Sequence, residues 1–231
     1  MVKIVIFFKR KPGVSVEDFQ RHWRTTHADL ILRLPGITGY VQSRVLASSY
    51  RKGEPAFDGV AESWFESPQA LKELAGTPTY AAVLADESNF IDPGSMGSII
   101  TDEHVVNDAP PPADALKTID LVNRKAGMSI DEFQNYWRDV HGPLCQAAPA
   151  MRRYVQNHTR RSIYDSGRTP HYDGAAMAWF DGMDALRAAA ATPQFAKLRD
   201  DVPNFIDRAR SPSLLTSEQV FLEAPRPQRS A

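Results

Sequence analysis

At 231 residues with 42% hydrophobic side chains, the chain carries enough apolar material for one large core or two small ones, which excludes a disordered or fibrous polymer. Its 27 Lys+Arg against 28 Asp+Glu leave a formal charge of −1, which excludes the concentrated positive field of a nucleic-acid binder. One cysteine, Cys145, excludes an internal disulfide framework, and no stretch approaches the roughly 20 apolar residues of a membrane span.

The first apolar run, Ile4 to Phe8, is followed at once by Lys9-Arg10-Lys11, the reverse of a secretory leader, so a cytoplasmic protein is expected. Lys3 to Phe8 reads as a strand that stops at the turn signal Lys11-Pro12-Gly13, and Ser15 with Asp18 is a capping pattern for a helix. That helix carries Phe19, Trp23, His27 and Leu30 on one stripe and ends near Pro35-Gly36. Gly39 to Leu46 reads as a strand. A long polar loop through Pro55, a strand over Gly59 to Phe65, a helix begun by Ser67-Pro68 and a strand over Gly97 to Val106 complete the series. The order is β-α-β-β-α-β, the split ferredoxin-like unit with helices on one face of an antiparallel sheet.

The same order is then written a second time. Phe19, Trp23, His27, Leu30, Pro35, Tyr40, Val41 and Gln42 recur, 114 positions on, as Phe133, Trp137, His141, Leu144, Pro149, Tyr154, Val155 and Gln156. One inserted residue between Tyr164 and Tyr172 changes the offset to 115, which takes Phe57-Asp58-Gly59 to Tyr172-Asp173-Gly174 and Asn89-Phe90-Ile91-Asp92 to Asn204-Phe205-Ile206-Asp207. A duplication accounts for this. The run NDAPPPAD at 107–114 is a stiff, extended spacer. Residues 1–107 and 115–224 are therefore expected as two domains, with 108–114 as linker and 225–231 as a frayed tail. Each unit leaves one sheet face bare, and two units in one chain can cover each other. The expected fold class is α+β, a tandem ferredoxin-like duplication forming an intramolecular dimeric α/β barrel.

The succession RKPGVSVEDFQRHWRTTHADL, LPGITGYVQ and ESNFID resembles the EthD domain, one branch of the dimeric α/β-barrel superfamily, in two copies over nearly the whole chain. The resemblance implies a cavity between each sheet and its helices, and ligands that are small, hydrophobic, often aromatic or polyketide-like acids or phenols. It implies a spread of roles, from cofactor-free decarboxylation or dehydration through cyclisation and monooxygenation to accessory roles in ether degradation. The second copy's HGPL is nearer the family pattern than the first copy's HADL.

A histidine beside Trp23 in a helix–sheet layer is partly desolvated, which favours the neutral ring and leaves one nitrogen to accept a proton. The alternative is that His27 and His141 each bond a strand carbonyl and satisfy the core. His22, His104, His158 and His171 align with Tyr136, Gln219, Arg44 and Ala56, so His27 and His141 are the one histidine pair common to both copies. Tyr40 and Tyr154 share a strand face with Gln42 and Gln156, adding a phenol and an amide to each imidazole.

The expected catalytic set is therefore His27, His141, Tyr40 and Tyr154. The expected substrate-binding set is Trp23, Trp137, Gln42 and Gln156, with Arg44 and His158 giving the two cavity mouths different charge. Asn89 and Asn204 read as capping or turn residues. Pro143, without an amide hydrogen, is expected to distort the helix just after His141. Cys145, aligned with Ile31, reads as a small buried hydrophobe. Arg152-Arg153 and Arg160-Arg161 lie near acids and read as solvated faces. One histidine per copy is too few for a metal, there is no Rossmann glycine fingerprint, and no cofactor is expected.

The function expected on this basis is a cofactor-independent lyase, of decarboxylase or dehydratase type, acting on a small aromatic or polyketide-like acid. Two other readings stay open: a non-catalytic hydrophobic-ligand-binding or accessory protein of a catabolic pathway, and a cofactor-free monooxygenase. The expected partner is the small ligand, with neither nucleic acid nor membrane. The pseudo-dimer within one chain leaves a further homodimer open.

Overall fold

The computed structural model describes residues 1–225; the expected tail beyond Pro225 lies outside the described residues. The first copy consists of β1 (Val2–Phe8), α1 (Val16–His22), a wide π-turn over Trp23–His27, α2 (Ala28–Ile31), β2 (Ile37–Val45), β3 (Gly59–Phe65), α3 (Pro68–Glu73), α4 (Pro78–Phe90) and β4 (Gly97–Asp108). The second repeats it with β5 (Leu116–Val122), α5 (Ile130–Tyr136), a π-turn over Trp137–His141, α6 (Gly142–Gln146), β6 (Arg153–Thr159), α7 (Arg161–Asp165) where the first copy has a 3-10 turn at Ala47–Lys52, β7 (Gly174–Phe180), α8 (Met183–Ala190), α9 (Pro193–Asp201) and β8 (Ser213–Leu222).

Hydrogen bonding links the strands in the order β1-β3-β2-β8-β5-β7-β6-β4, a closed antiparallel barrel. The chain divides into two compact units, Met1–Ile100 with the segment from Glu218 onward, and Thr101–Ser217. The division falls within β4 and β8, and Thr101 to Asp108 of β4 pairs with β6. The proline run 110–112 connects β4 to β5.

In the first unit the alternation of β1 sends Val2, Ile4 and Phe8 toward the helices, where they join Phe19, Trp23 and Phe90 in one apolar cluster. Phe8 meets the Trp23 ring edge-on at 5.0 Å, and Phe19 bridges Trp23 and Phe90 at 5.7 Å to each. On the opposite face Lys3 and Glu62 form an ion pair at 2.8 Å, both buried, with the ammonium 4.5 Å above the Trp64 ring. Each charge offsets the burial of the other. The second unit packs Phe133, Trp137 and Phe205 in the same helix–sheet layer.

The caps follow the sequence. Ser15 accepts from the Asp18 amide, and Ser129 with Glu132 closes a full capping box. The aspartate of each repeated FDG/YDG stretch has a structural task. Asp58 accepts from the backbone and guanidinium of Arg10 at 2.8 and 2.5 Å and from Tyr50, and Asp173 does the same for Arg124 and Tyr164. These carboxylates tie the end of each first strand to the loop before the third. The four arginines of the paired runs meet Asp181, Asp108, Asp102 and Asp131; Arg152 and Arg161 are exposed, and Arg153 and Arg160 are half-buried.

The glycine of the same stretch is fixed by packing. A Cβ on Gly59 would lie 2.5 Å from the Trp23 ring, and one on Gly174 would lie 2.5 Å from Trp137 and 2.6 Å from the Asn157 carbonyl. Both indoles are fully buried with nowhere to retreat. Gly59→Ala and Gly174→Ala are each expected to destabilise the fold by about 2 kcal/mol or more, through overpacking, measured as a drop in the urea midpoint.

Candidate functional site

Both copies widen the helix over the same five residues, and the physical cause is visible. Gln42 and Gln156 reach up from the second strand of each copy and donate to the carbonyls of Trp23 and Trp137, each at 2.8 Å. In the second copy the Gly142 amide closes a five-residue bond to that same Trp137 carbonyl. A wide turn leaves backbone groups to be satisfied from outside, and here a buried amide does so. The expectation that Pro143 distorts this helix is corrected: the first copy has no proline and the same widening. Pro143 sits in the first turn of α6, where a missing amide hydrogen costs little.

The π-turn delivers His27 and His141 to a carboxylate on the facing helix. His27 Nδ1 donates to Asp86 Oδ2 at 2.9 Å, and His141 Nδ1 donates to Asp201 Oδ2 at 2.8 Å. Neither histidine bonds a strand carbonyl. The second carboxylate oxygen is also used. Asp86 Oδ1 accepts from His22 Nε2 at 2.8 Å and Asn89 at 3.3 Å; Asp201 Oδ1 accepts from the Tyr136 hydroxyl at 2.6 Å and Asn204 at 3.0 Å. Phe90 and Phe205 hold the imidazoles from the side, with ring centroids 5.0 and 4.8 Å away.

The electrostatics set one protonation state for this pair. Burial pushes the pKa of His27 and His141 below the usual imidazole value, outweighing the upward pull of the aspartate. Burial also pushes Asp86 and Asp201 upward, yet the combined hydrogen bonds from His22, His27 and Asn89, and from Tyr136, Asn204 and His141, leave both net lowered. The pair is a neutral imidazole on an ionised carboxylate. With Nδ1–H committed to aspartate, the lone pair is on Nε2, which has no hydrogen-bond partner among the described residues.

On the outer side the groups that hold each aspartate border open clefts. One, of about 350 Å³, is lined by Arg21, His22, Thr25 and Asn89; the other, of about 710 Å³, by Met128, Asn135, Tyr136, Val140 and Asn204. Each aspartate thus stands between a cleft-side donor and a buried histidine. Such an arrangement orients the imidazole and can pass charge between the surface and the interior.

Residues 11–94 and 125–209 match the EthD domain. The chain belongs to the EthD domain family. No curated protein matches it. Among solved structures it is similar to an anthrone oxidase-like protein (12% identity, TM-score 0.64, covering 95% of this chain and 92% of the other). It is also similar to a candidate monooxygenase from Lactobacillus acidophilus (10%, 0.55, 95% and 94%) and to a variant chlorite dismutase from Candidatus Nitrospira defluvii (8%, 0.53, 94% and 91%). At these identities the likeness is one of fold.

Within this EthD frame the other singled-out residues fall in the same layer. Gln42 also donates to the Tyr40 hydroxyl at 3.0 Å, and Trp137 Nε1 donates to the Tyr154 hydroxyl at 3.1 Å. Burial raises the pKa of both phenols, so they are hydrogen-bonding hydroxyls rather than bases. Trp23 and Trp137 are fully enclosed. The His158 ring lies tilted against Trp137 with centroids 4.5 Å apart and meets Gln156 Oε1 at 3.0 Å, whereas Arg44 Nε makes no such bond. Cys145 is buried, and desolvation pushes its thiol up to about 12, which removes any nucleophilic thiolate at neutral pH. No helix is long and apolar enough to cross a membrane, and no group of three or more metal-binding side chains occurs, both among the described residues.

Sequence reasoning missed Asp86 and Asp201, the groups that orient the histidines. The signal was present: Asp-x-x-Asn-Phe recurs at the 115 offset. It also missed Glu87, whose carboxyl is raised to about 7 by burial and by the neighbouring Asp86 charge, and whose counterpart is Val202.

The depressed histidine pKa has a stability consequence. Below the ordinary imidazole value of about 6.5 the unfolded chain takes up a proton that folded His141 does not, so its contribution is full above that pH and falls as pH drops. The stability difference between wild type and His141→Gln, read from urea midpoints, is expected to shrink between about pH 7.5 and pH 5.5.

Proposed function

We infer that the duplicated His–Asp pairs make this EthD protein a general acid/base catalyst that needs no cofactor, of the decarboxylase or dehydratase type, acting on a small aromatic or polyketide-like acid. The observation that supports this most is the uncommitted Nε2 of a neutral imidazole whose Nδ1–H is held by an ionised aspartate, built twice. A neutral imidazole with a fixed tautomer and a free lone pair is what proton abstraction from a phenol or an acidic carbon requires.

With a hydroxyaryl acid bound, Nε2 takes the hydroxyl proton, and the aspartate stabilises the imidazolium that forms. The same proton is returned to the carbon bearing the carboxylate. The bond from that carbon to the carboxylate then breaks, its electron pair restoring the phenolate, and carbon dioxide leaves. Tyr40 and Tyr154, protonated and buried, supply hydroxyls to orient the ligand, and Trp23 and Trp137 are its apolar wall. His27, His141, Tyr40 and Tyr154 remain the proposed catalytic set, with Gln42, Gln156, Arg44 and His158 around the ligand.

A second reading takes support from the anthrone oxidase-like and monooxygenase descriptions of the fold neighbours. The same deprotonation yields a phenolate that can react with dioxygen. A third, non-catalytic ligand binding, takes support from the tight enclosure of both histidines, 5% and 4% exposed.

The test is turnover of a panel of hydroxyaryl and polyketide-like acids, under air and under argon. Carbon dioxide release that persists under argon is expected, with His27→Gln and His141→Gln in one chain reducing the rate by about a hundredfold to ten-thousandfold. Activity confined to air would favour the monooxygenase. Ligands recovered unchanged, or full turnover in the double variant, would sink the assignment.

A further inference from the structure

The two copies solve one local problem differently. In the second, Gln156 donates to the Trp137 carbonyl through Nε2 and its Oε1 meets His158 Nε2 at 3.0 Å, so both ends of the amide are satisfied. In the first, Gln42 makes the matching Nε2 bond to Trp23, but its Oε1 is buried with no partner, and the residue two positions on is Arg44. Arg44 Nε is likewise buried and unpartnered. Gln42 is fully enclosed, and the two residues share one strand face.

No carboxylate answers this arginine among the described residues. The charge it feels is that of Arg24, another cation, which follows Trp23 on the π-turn. Two guanidiniums set near each other, one with a buried unused donor, disfavour each other unless an anion lies with them. A buried amide oxygen beside them asks for a hydroxyl or amine donor. A carboxylate with a neighbouring hydroxyl meets both demands, one end accepting from the guanidiniums and the other donating to the amide.

We propose that Gln42, Arg44 and Arg24 form a binding site for a small organic hydroxy acid, with its carboxylate on the two arginines and its hydroxyl on Gln42 Oε1. The second copy lacks this site because His158 occupies the amide oxygen. The proposal rests on the reading above for the class of ligand and names the first-copy residues that hold it; it concerns binding, not the acid/base step.

The test is calorimetric titration of the full chain with 2-hydroxybenzoate, and with 2-hydroxybenzamide as the uncharged counterpart. The acid is expected to bind at least about tenfold more tightly than the amide. Arg44→His, which writes the second copy's residue into the first, is expected to weaken acid binding by about tenfold or more while the far-ultraviolet circular dichroism is unchanged. Arg44→Lys, which keeps the charge, is expected to bind more tightly than Arg44→His. Equal binding of acid and amide, unchanged binding in Arg44→His, or no binding at millimolar 2-hydroxybenzoate would each overturn the proposal.

Discussion

An ionised carboxylate buried to within a few per cent of full enclosure must be surrounded by donors, and Asp86 and Asp201 impose that condition on everything near them. Each needs hydrogen-bond donors at both oxygens. One is met by an asparagine three residues on, one by an aromatic or imidazole group on the first helix, and one by the histidine at the end of the π-turn. The wide turn is therefore not an irregularity of the helix. It sets Trp23 and Trp137 against the sheet and His27 and His141 against the aspartate in one stretch, with a strand glutamine satisfying the freed carbonyl. Loss of the aspartate would leave the buried imidazole donor unpaired and release the half-buried donor on the first helix, so helix packing and imidazole orientation rest on one group.

The duplication has kept this frame and let its surroundings drift. The cleft-side donor is His22 in one copy and Tyr136 in the other; Ile31 answers to Cys145, and Glu87 to Val202. Ile6 answers to Asp120, which shares the helix-facing side of β5 with Val122, lies opposite Ser213 and has its pKa raised by burial. Each copy thus carries one additional poised carboxyl in its helix–sheet layer, placed on the helix in the first and on the strand in the second. Such divergence around an unchanged His–Asp pair is what two sites with one chemistry and different ligands would show. It is also what one working site and one scaffold would show, since packing alone retains the pair.

Much of the fold was legible because it rests on local chemistry and on repetition. Ser15 and Ser129 announce their helices, alternation places Val2, Ile4 and Phe8 on one face, and the offset of 114 or 115 aligns every element of the two copies. The π-turn was not legible. Its cause is a bond between Gln42 and Trp23, nineteen residues apart, and periodicity at 3.6 residues per turn reads the helix as uniform. Asp86 was hidden for another reason: α4 has almost no amphipathic pattern to mark its buried face, an acid by type reads as solvent-facing, and only the recurrence of Asp with Asn and Phe in both copies marks it as part of the frame. The histidines were found because a ring that must be buried and polar stands out by type; their partners, common surface residues, do not.

The difference between the two cleft-side donors bears on how each site handles protons. In the second copy the Tyr136 hydroxyl, whose pKa is raised chiefly by its bond to Asp201, stays protonated and fixes the carboxylate in the ionised, accepting state. A proton gained by His141 then has no outlet through that aspartate, and must leave by Nε2 to the ligand itself. In the first copy an imidazole holds the same oxygen, and an imidazole can release a proton from one nitrogen while taking one at the other. The chain His22, Asp86, His27 therefore runs from an open cleft to the buried ring with an imidazole at each end, whereas Tyr136, Asp201, His141 has a phenol at its cleft end. A reaction that returns its proton to the same ligand suits the second arrangement. One that must exchange protons with solvent between turnovers suits the first.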